Sequence, residues 1–487
     1  MTTTELQPAT LPAVPTGLFI DGRWRDGART FDVENPATGV VLASVADGTA
    51  DDARRAIDAA AAAQDQWART APRERSEILR RAYELVIART EDFATLMTLE
   101  MGKPLAEARG EVAYGAEFLR WFSEEAVRIA GDTTVTGDGR NRILVGRAPV
   151  GPCVLITPWN FPLAMGTRKI GPAVAAGCTM VFKPAPQTPL TALLLTEVLR
   201  EAGLPDGVLN TVATTDAAAV VTEWVEGGKA RKISFTGSTN VGKILLGQAA
   251  KTVMRTSMEL GGNAPFLVCA DADVDKAVDG AMVAKLRNMG EACTAANRFY
   301  VHRDVVDEFT TKLAERMSAL TVGDGTAPGT DVGPLIDAAG LGKVERLVAD
   351  AVAKGARIVT GGERAGETGY FYRPTVLADV PADAELAATE IFGPVAPVHV
   401  FDDEDEAIAA ANDTDAGLVA YLFTQDIDRA WRLSDRIEAG MVGLNTGLVS
   451  NPAAPFGGVK QSGLGREGGR VGIDEFLEYK YLAIPKG

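Results

Sequence analysis

The chain has 487 residues, enough to bury a large core and to divide into two or three domains. Its 49 basic and 65 acidic side chains leave a net charge of −16, which argues against nucleic acid or an anionic membrane as partner and requires local arginines to meet any anionic substrate. Four cysteines without paired spacing fit a reducing cytoplasm and not a disulfide framework.

Residues 1–15 carry Glu5 as their only charged side chain and no basic region ahead of an apolar core, so they read as a loose tail and not as a secretory signal. Apolar residues at helical spacing with charged opposite faces predict three helices, over 50–69, 72–100 and 104–129. A polar, turn-rich break follows at 131–141. From Cys153 short apolar runs alternate with helical ones: strands at 153–156, 179–182, 208–212 and 232–235, helices at 166–175, 189–202, 216–225 and 241–251. That alternation predicts an α/β fold with a parallel sheet covered by helices on both faces.

The longest nearly uncharged apolar run, 170–182, is too short for a bilayer, which needs about 20 residues. A second cycle opens with a strand at 264–269 and continues with helices at 274–287 and 305–318, strands around 299–301 and 356–359, and further αβ pattern to Val442. No internal repeat or low-complexity linker interrupts it. A glycine-rich segment, 456–469, precedes a strand-like end at 476–484.

Only two histidines occur, His302 and His399, both in strand-like runs. With no CxxC pair and no third histidine, a zinc site is not expected. Cys153, Cys178 and Cys269 sit in apolar surroundings, where a thiol behaves as a small hydrophobe. Cys293 differs, because Glu291-Ala292-Cys293-Thr294-Ala295-Ala296-Asn297-Arg298 places it among small and polar residues. Most intracellular cysteines only pack, so neighbouring motifs must decide whether this one reacts.

Several other positions admit two readings on their residues alone. The turn Phe235-Thr236-Gly237-Ser238-Thr239-Asn240-Val241-Gly242 leaves a strand and enters a helix, where free N–H groups and the helix dipole favour phosphate. Its spacing is not GxGxxG, and such a turn is also ordinary geometry. Lys183 ends a buried-looking strand, at the edge where α/β folds bind ligands, or snorkels to the surface. Glu259 fits a solvated loop charge as well as a base, and Asn160 a turn residue as well as a hydrogen-bond donor.

Taken in order, Thr157-Pro158-Trp159-Asn160-Phe161-Pro162, Phe235-Thr236-Gly237-Ser238, Met258-Glu259-Leu260-Gly261-Gly262-Asn263, the Cys293 stretch, Glu390-Ile391-Phe392-Gly393-Pro394 and Pro455-Phe456-Gly457-Gly458-Val459-Lys460 resemble the aldehyde dehydrogenase superfamily over nearly the whole chain. The resemblance implies a Rossmann-type parallel-sheet cofactor domain at 1–130 and 151–258. It also implies an α/β catalytic domain at 259–469 and a β oligomerisation arm, a hairpin at 131–150 with 470–487, building a homodimer or homotetramer. It further implies Cys293 as nucleophile and the Asn160 amide with the Cys293 N–H as oxyanion donors. Glu259 becomes the base that activates water, its pKa raised by an apolar setting such as Leu260 and Gly261 allow. Members that pass the acyl group to coenzyme A generally lack this glutamate, so the acid-producing branch is favoured.

The same resemblance implies a nicotinamide dinucleotide held by Trp159, Lys183, Pro186, Gly237, Ser238, Gly242 and Glu390, with pyrophosphate at the Gly237–Ser238 turn, adenosine ribose at Lys183 and nicotinamide ribose at Glu390. In the succinate-semialdehyde dehydrogenases of this superfamily, arginines at the positions of Arg168 and Arg287 and a serine at that of Ser450 bind the substrate carboxylate. All three match, and guanidinium forks suit carboxylates. The implied reaction is oxidation of succinate semialdehyde to succinate through a cysteine thiohemiacetal and thioester, with glutarate semialdehyde or another short carboxylated aldehyde as the alternative.

Two positions depart from the pattern. Ala295 stands where many members of the subfamily carry a second cysteine, so that redox switch is absent. Pro186 stands where a glutamate often binds both adenosine ribose hydroxyls; proline admits a 2′-phosphate, so NADP is expected ahead of NAD, with NAD still usable. Two other classes of function remain: a cofactor-independent thiol esterase built on Cys293 and Glu259, which the cofactor set argues against, and a non-catalytic binding protein, which the intact Cys293, Glu259 and Asn160 argue against.

Overall fold

The computed structural model describes residues 10–486. Of the expected tail at 1–15, the first nine residues lie outside the described residues, and the remainder carries no helix or strand.

Ala50–Arg69 forms where the pattern predicts it. The Thr49 hydroxyl accepts from the Asp52 N–H while the Asp52 carboxylate accepts from the Thr49 N–H at 3.0 Å, a capping box that satisfies two donors left free at a helix start. The single helix expected over 72–100 is two, Pro72–Ala88 and Thr90–Met101, because the backbone leaves helical values at Arg89 (φ −106°, ψ 26°). Leu105–Glu125 follows and closes in a short 3-10 turn, Ala126–Arg128. The apolar faces of the last three of these helices, with Trp67 of the first, share one core with Pro162–Ala176, a helix buried at every residue.

An eight-stranded sheet runs in the order Arg23–Arg25, Leu18–Ile20, Leu209–Thr211, Met180–Lys183, Cys153–Ile156, Lys232–Thr236, Arg255–Glu259, Gly463–Leu464. Its five central strands are parallel, as the alternation predicts. Cys153–Ile156, Met180–Lys183 and Lys232–Thr236 are buried throughout, which is why Cys153–Ile156 and Met180–Phe182 read as unbroken apolar runs. The chain adds strands first to one side of Cys153–Ile156 and then to the other, so the carboxyl ends of Cys153–Ile156 and Lys232–Thr236 open a crevice at the point where strand order reverses. Open α/β sheets bind ligands at that point.

A seven-stranded sheet carries the second half: Arg357–Thr360, Thr375–Ala378, Val395–Phe401, Ala296–His302, Ala264–Val268, Val419–Phe423, Met441–Leu444. Phe266 stacks on Phe423 at 4.8 Å and tilts against Phe299 at 5.0 Å, filling one of its faces. The segment after it does not stay with this sheet. Gly463–Leu464 returns to pair antiparallel with Arg255–Glu259, Gly463 opposite Glu259, so the last part of the 259–469 stretch contributes an edge strand to the first sheet.

The polar break expected at 131–141 contains the strand Asp132–Val135 and a turn into Asn141–Pro149; Leu477–Pro485 pairs with the latter along its whole length. This three-stranded sheet leaves Tyr479, Tyr481 and Leu482 exposed. Among the described residues no helix is long and apolar enough to cross a membrane, and no group of three or more His, Cys, Asp or Glu that could hold a metal ion occurs.

Candidate active site

A cavity of about 810 Å³ occupies the crevice and brings together Trp159, Asn160, Lys183, Pro186, Gly237, Ser238, Cys293 and Glu390. These residues come from both halves of the chain. Trp159 and Asn160 follow the strand Cys153–Ile156, Lys183 ends the next strand, and the Gly237–Ser238 turn joins Lys232–Thr236 to the helix Thr239–Ala250. Ser238 caps that helix, its Oγ accepting from the Val241 N–H at 3.4 Å.

The nucleotide end fits an anionic, ribose-bearing dinucleotide. Lys183 is buried, donates only to the Pro184 carbonyl at 3.0 Å and has no carboxylate beside it, and burial lowers its pKa to about 8. The Thr236 hydroxyl is buried without a partner in the same wall. Pro186 lines this end, offering neither charge nor hydrogen bond. Gly242 stands outside the lining: a Cβ there would meet Leu260 Cδ2 at 2.5 Å, so the glycine lets the helix approach the Glu259–Leu260 strand end.

At the other end Cys293 is half-buried, whereas Cys153, Cys178 and Cys269 are buried as expected. Burial is the main influence on the Cys293 thiol and pushes its pKa up to about 12, with Arg168 and Arg287 pulling down and Glu390 and Glu259 pushing up. That shift favours the thiol over the thiolate, the form in which a cysteine is nucleophilic. Gly262 packs directly behind it; a Cβ would meet the Cys293 carbonyl oxygen at 2.4 Å. The Asn160 Nδ2 donates to the Glu291 carbonyl at 2.9 Å and its Oδ1 has no partner.

Glu259 is buried and neither carboxylate oxygen has a hydrogen-bond partner. Burial raises its pKa well above the ordinary glutamate value, and Glu467 adds to the effect against Arg168, Lys169 and Arg466. Glu390 accepts from the Gly262 N–H at 3.0 Å, and burial brings its pKa to about 7. Trp159 meets Phe392 edge to face at 5.4 Å on the same wall.

The three residues expected at a carboxylate differ in their commitments. Arg287 donates to Ser450 Oγ at 3.2 Å and its guanidinium lies over the rings of Phe161 and Tyr114, at 4.7 and 5.6 Å. Arg168 is fully buried, its Nε and the neighbouring Lys169 Nζ both bound to the Glu467 carboxylate, while Arg168 Nη2 is unpartnered. Glu467, Lys169 and Tyr114 were not singled out in the sequence. The available signal was Arg168-Lys169 itself: two adjacent cations inside an otherwise apolar helix demand a buried anion.

A parallel-sheet crevice that gathers a helix start and a thiol, with a buried unpaired carboxylate in the same fold, fits the class of oxidoreductases. The sequence profile of the Aldehyde dehydrogenase family matches residues 24–482. The chain is 61% identical over 444 residues to a succinate-semialdehyde dehydrogenase of Paenarthrobacter nicotinovorans, covering 91% of this chain and 99% of that protein. It is 50% identical over 468 residues to a glutarate-semialdehyde dehydrogenase of Pseudomonas aeruginosa, covering 96% and 97%. Its fold superposes on the crystal structure of an Escherichia coli NADP-dependent enzyme with a TM-score of 0.96 and 50% identity, over 97% of this chain and 98% of that one. The chain belongs to the aldehyde dehydrogenase family and is an oxidoreductase enzyme.

Proposed function

We propose that this enzyme oxidises succinate semialdehyde to succinate, with NADP ahead of NAD as cofactor. The observation that carries the substrate is the Arg287–Ser450 contact together with the unpartnered Arg168 Nη2, two guanidinium groups that both act on the Cys293 thiol. A carboxylate at the far end of a short aldehyde is the partner that would satisfy these donors. Glutarate semialdehyde, longer by one methylene, is the second reading, supported by the Pseudomonas relative.

In this reading the Cys293 thiol gives up its proton to water and the thiolate adds to the aldehyde carbon, and the Asn160 amide with the Cys293 N–H stabilises the oxyanion of the thiohemiacetal. A bound dinucleotide supplies the hydride acceptor. Glu259 then takes a proton from water, which opens the thioester and releases the acid. Lys183, Ser238 and the Gly237 turn would hold the nucleotide's phosphates and adenosine ribose, and Trp159 and Glu390 would hold its nicotinamide end.

The first sheet forms the cofactor domain, the second the catalytic domain, and the strands Asn141–Pro149 and Leu477–Pro485 the arm through which copies assemble as a homodimer or homotetramer. The enzyme acts on a soluble metabolite in the cytoplasm. The test is a panel of aldehydes, with and without a distal carboxylate, assayed for NADH and NADPH formation. Preference for butanal over both semialdehydes would overturn the substrate reading.

A further inference from the structure

Three successive residues just ahead of the nucleophile turn, Asn288, Met289 and Gly290, have positive φ (55°, 56° and 80°). Asparagine is among the few side chains that tolerate this region. Asn288 is fully buried, its N–H donates to the Glu107 carboxylate at 2.6 Å, and its Nδ2 donates to two carbonyls, that of Asn160 at 3.1 Å and that of Glu291 at 3.0 Å. The Glu291 carbonyl also receives the Asn160 Nδ2 at 2.9 Å, and the Asn160 carbonyl also receives Lys103 Nζ at 2.8 Å. Lys103 in turn is ion-paired to Glu111, whose other oxygen accepts from the Leu163 and Ala164 N–H groups at the start of the Pro162–Ala176 helix.

We propose that Asn288 is the positioning residue of the oxyanion site: its side-chain amide ties the Asn160 turn to the Glu291–Cys293 turn and so fixes the remaining N–H of the Asn160 amide relative to the Cys293 thiol. The inference rests on the oxyanion role proposed for Asn160. Both hydrogens of the Asn288 amide are engaged on carbonyls, so the side chain must be a double donor. Aspartate would aim a carboxylate oxygen at two carbonyl oxygens, glycine would keep the backbone without the tie, and glutamine would add a methylene to a fully buried side chain.

The test compares wild type, Asn288→Gly, Asn160→Ala and the double variant in two assays. One is single-turnover formation of reduced cofactor on mixing the cofactor-loaded enzyme with aldehyde. The other is alkylation of Cys293 by iodoacetamide, which forms no oxyanion. Loss of an oxyanion donor costs on the order of 10²–10³ in rate, so a displaced one is expected to cost roughly tenfold or more in Asn288→Gly. Alkylation is expected within about twofold of wild type, and Asn288→Gly should add little in the Asn160→Ala background, the signature of two residues acting as one unit. Equal fold-losses in both backgrounds, or alkylation falling in step with turnover, would overturn the inference. A wild-type single-turnover rate in Asn160→Ala alone would defeat the Asn160 role itself. Asn288→Asp, which keeps volume and tolerance of positive φ, is the second variant should the glycine form fail to fold; a wild-type rate in it also overturns the inference.

Discussion

The Arg287 guanidinium donates to Ser450 Oγ at 3.2 Å across 163 residues of chain, joining the turn ahead of the nucleophile to a loop that follows the last strand of the second sheet. With the rings of Phe161 and Tyr114 beneath it, the guanidinium is held in place before any substrate arrives. Preorganised charge of this kind acts on one class of ligand and is indifferent to the rest.

Arg287→Ala is therefore expected to weaken succinate semialdehyde far more than butanal. Hydrogen bonds to charged groups are worth about 1.5–3 kcal/mol, so kcat/KM for the semialdehyde should fall roughly ten- to hundredfold while butanal changes little. Equal losses on both aldehydes would mean that Arg287 is structural. Arg168→Ala is a different experiment, because it leaves Glu467 facing Lys169 alone in the interior. Removing one of two cations from a buried carboxylate disturbs the interior packing and charge balance, so a lower Tm and losses on both aldehydes are expected there.

Cys293→Ala should abolish turnover, whereas Glu259→Gln should still acylate and slow mainly at thioester hydrolysis. The folded-state pKa of Glu259 is raised by burial and by Glu467, so its ionised fraction grows as pH rises through a range where ordinary glutamates are already charged. Deacylation is then expected to climb with pH in wild type and to lose that climb in Glu259→Gln, with the pre-steady-state burst of reduced cofactor intact. Wild-type turnover in the glutamine variant would remove Glu259 from the role of base.

Glu467 links acid stability to the same centre. Burial alone would raise its pKa, but the charges and hydrogen bonds of Lys169 and Arg168 outweigh burial and hold it at about 2, from an ordinary 4.5. A carboxyl depressed in the folded state contributes stability above its unfolded value that is lost as pH falls toward the folded one. Thermal melts of wild type should thus lose stability between pH 4.5 and about 2. Glu467→Gln should start with a lower Tm at neutral pH and show a flatter acid limb; an acid limb identical to wild type would dissociate Glu467 from it.

The sequence made some of this legible for physical reasons. Strands buried on both faces, such as Cys153–Ile156, are apolar throughout and therefore stand out. Asp132–Val135 did not stand out on its residues, because it is an exposed, mostly polar edge strand whose sheet is completed at the far end of the chain; only the resemblance, through the hairpin it implies at 131–150, pointed to it. The helix break at Arg89 was hidden by a residue that favours helices. Cys293, Asn160 and Lys183 were found through motifs and share one cavity, whereas Glu467 lies in a glycine-rich stretch whose charge looks solvated until Arg168 and Lys169 are folded against it.

Cofactor choice turns on Pro186, which lines the cavity near Lys183. A carboxylate at this position would accept hydrogen bonds from a ribose 2′-hydroxyl and repel a 2′-phosphate; proline does neither. Lys183, buried with no carboxylate partner, gains a counter-charge if a phosphate is placed beside it, and its pKa of about 8 means that such an anion would also favour its protonated form. Wild type is expected to use NADP with the higher kcat/KM and to retain measurable activity with NAD. Pro186→Glu should move the ratio toward NAD, chiefly by raising KM for NADP, since the added charge acts on binding of the adenosine end and not on Cys293. Measuring kcat/KM for both cofactors in both proteins decides the matter: a wild type that rejects NADP, or a glutamate variant whose ratio is unmoved, would show that the shape of the loop and not the charge at this position sets the choice.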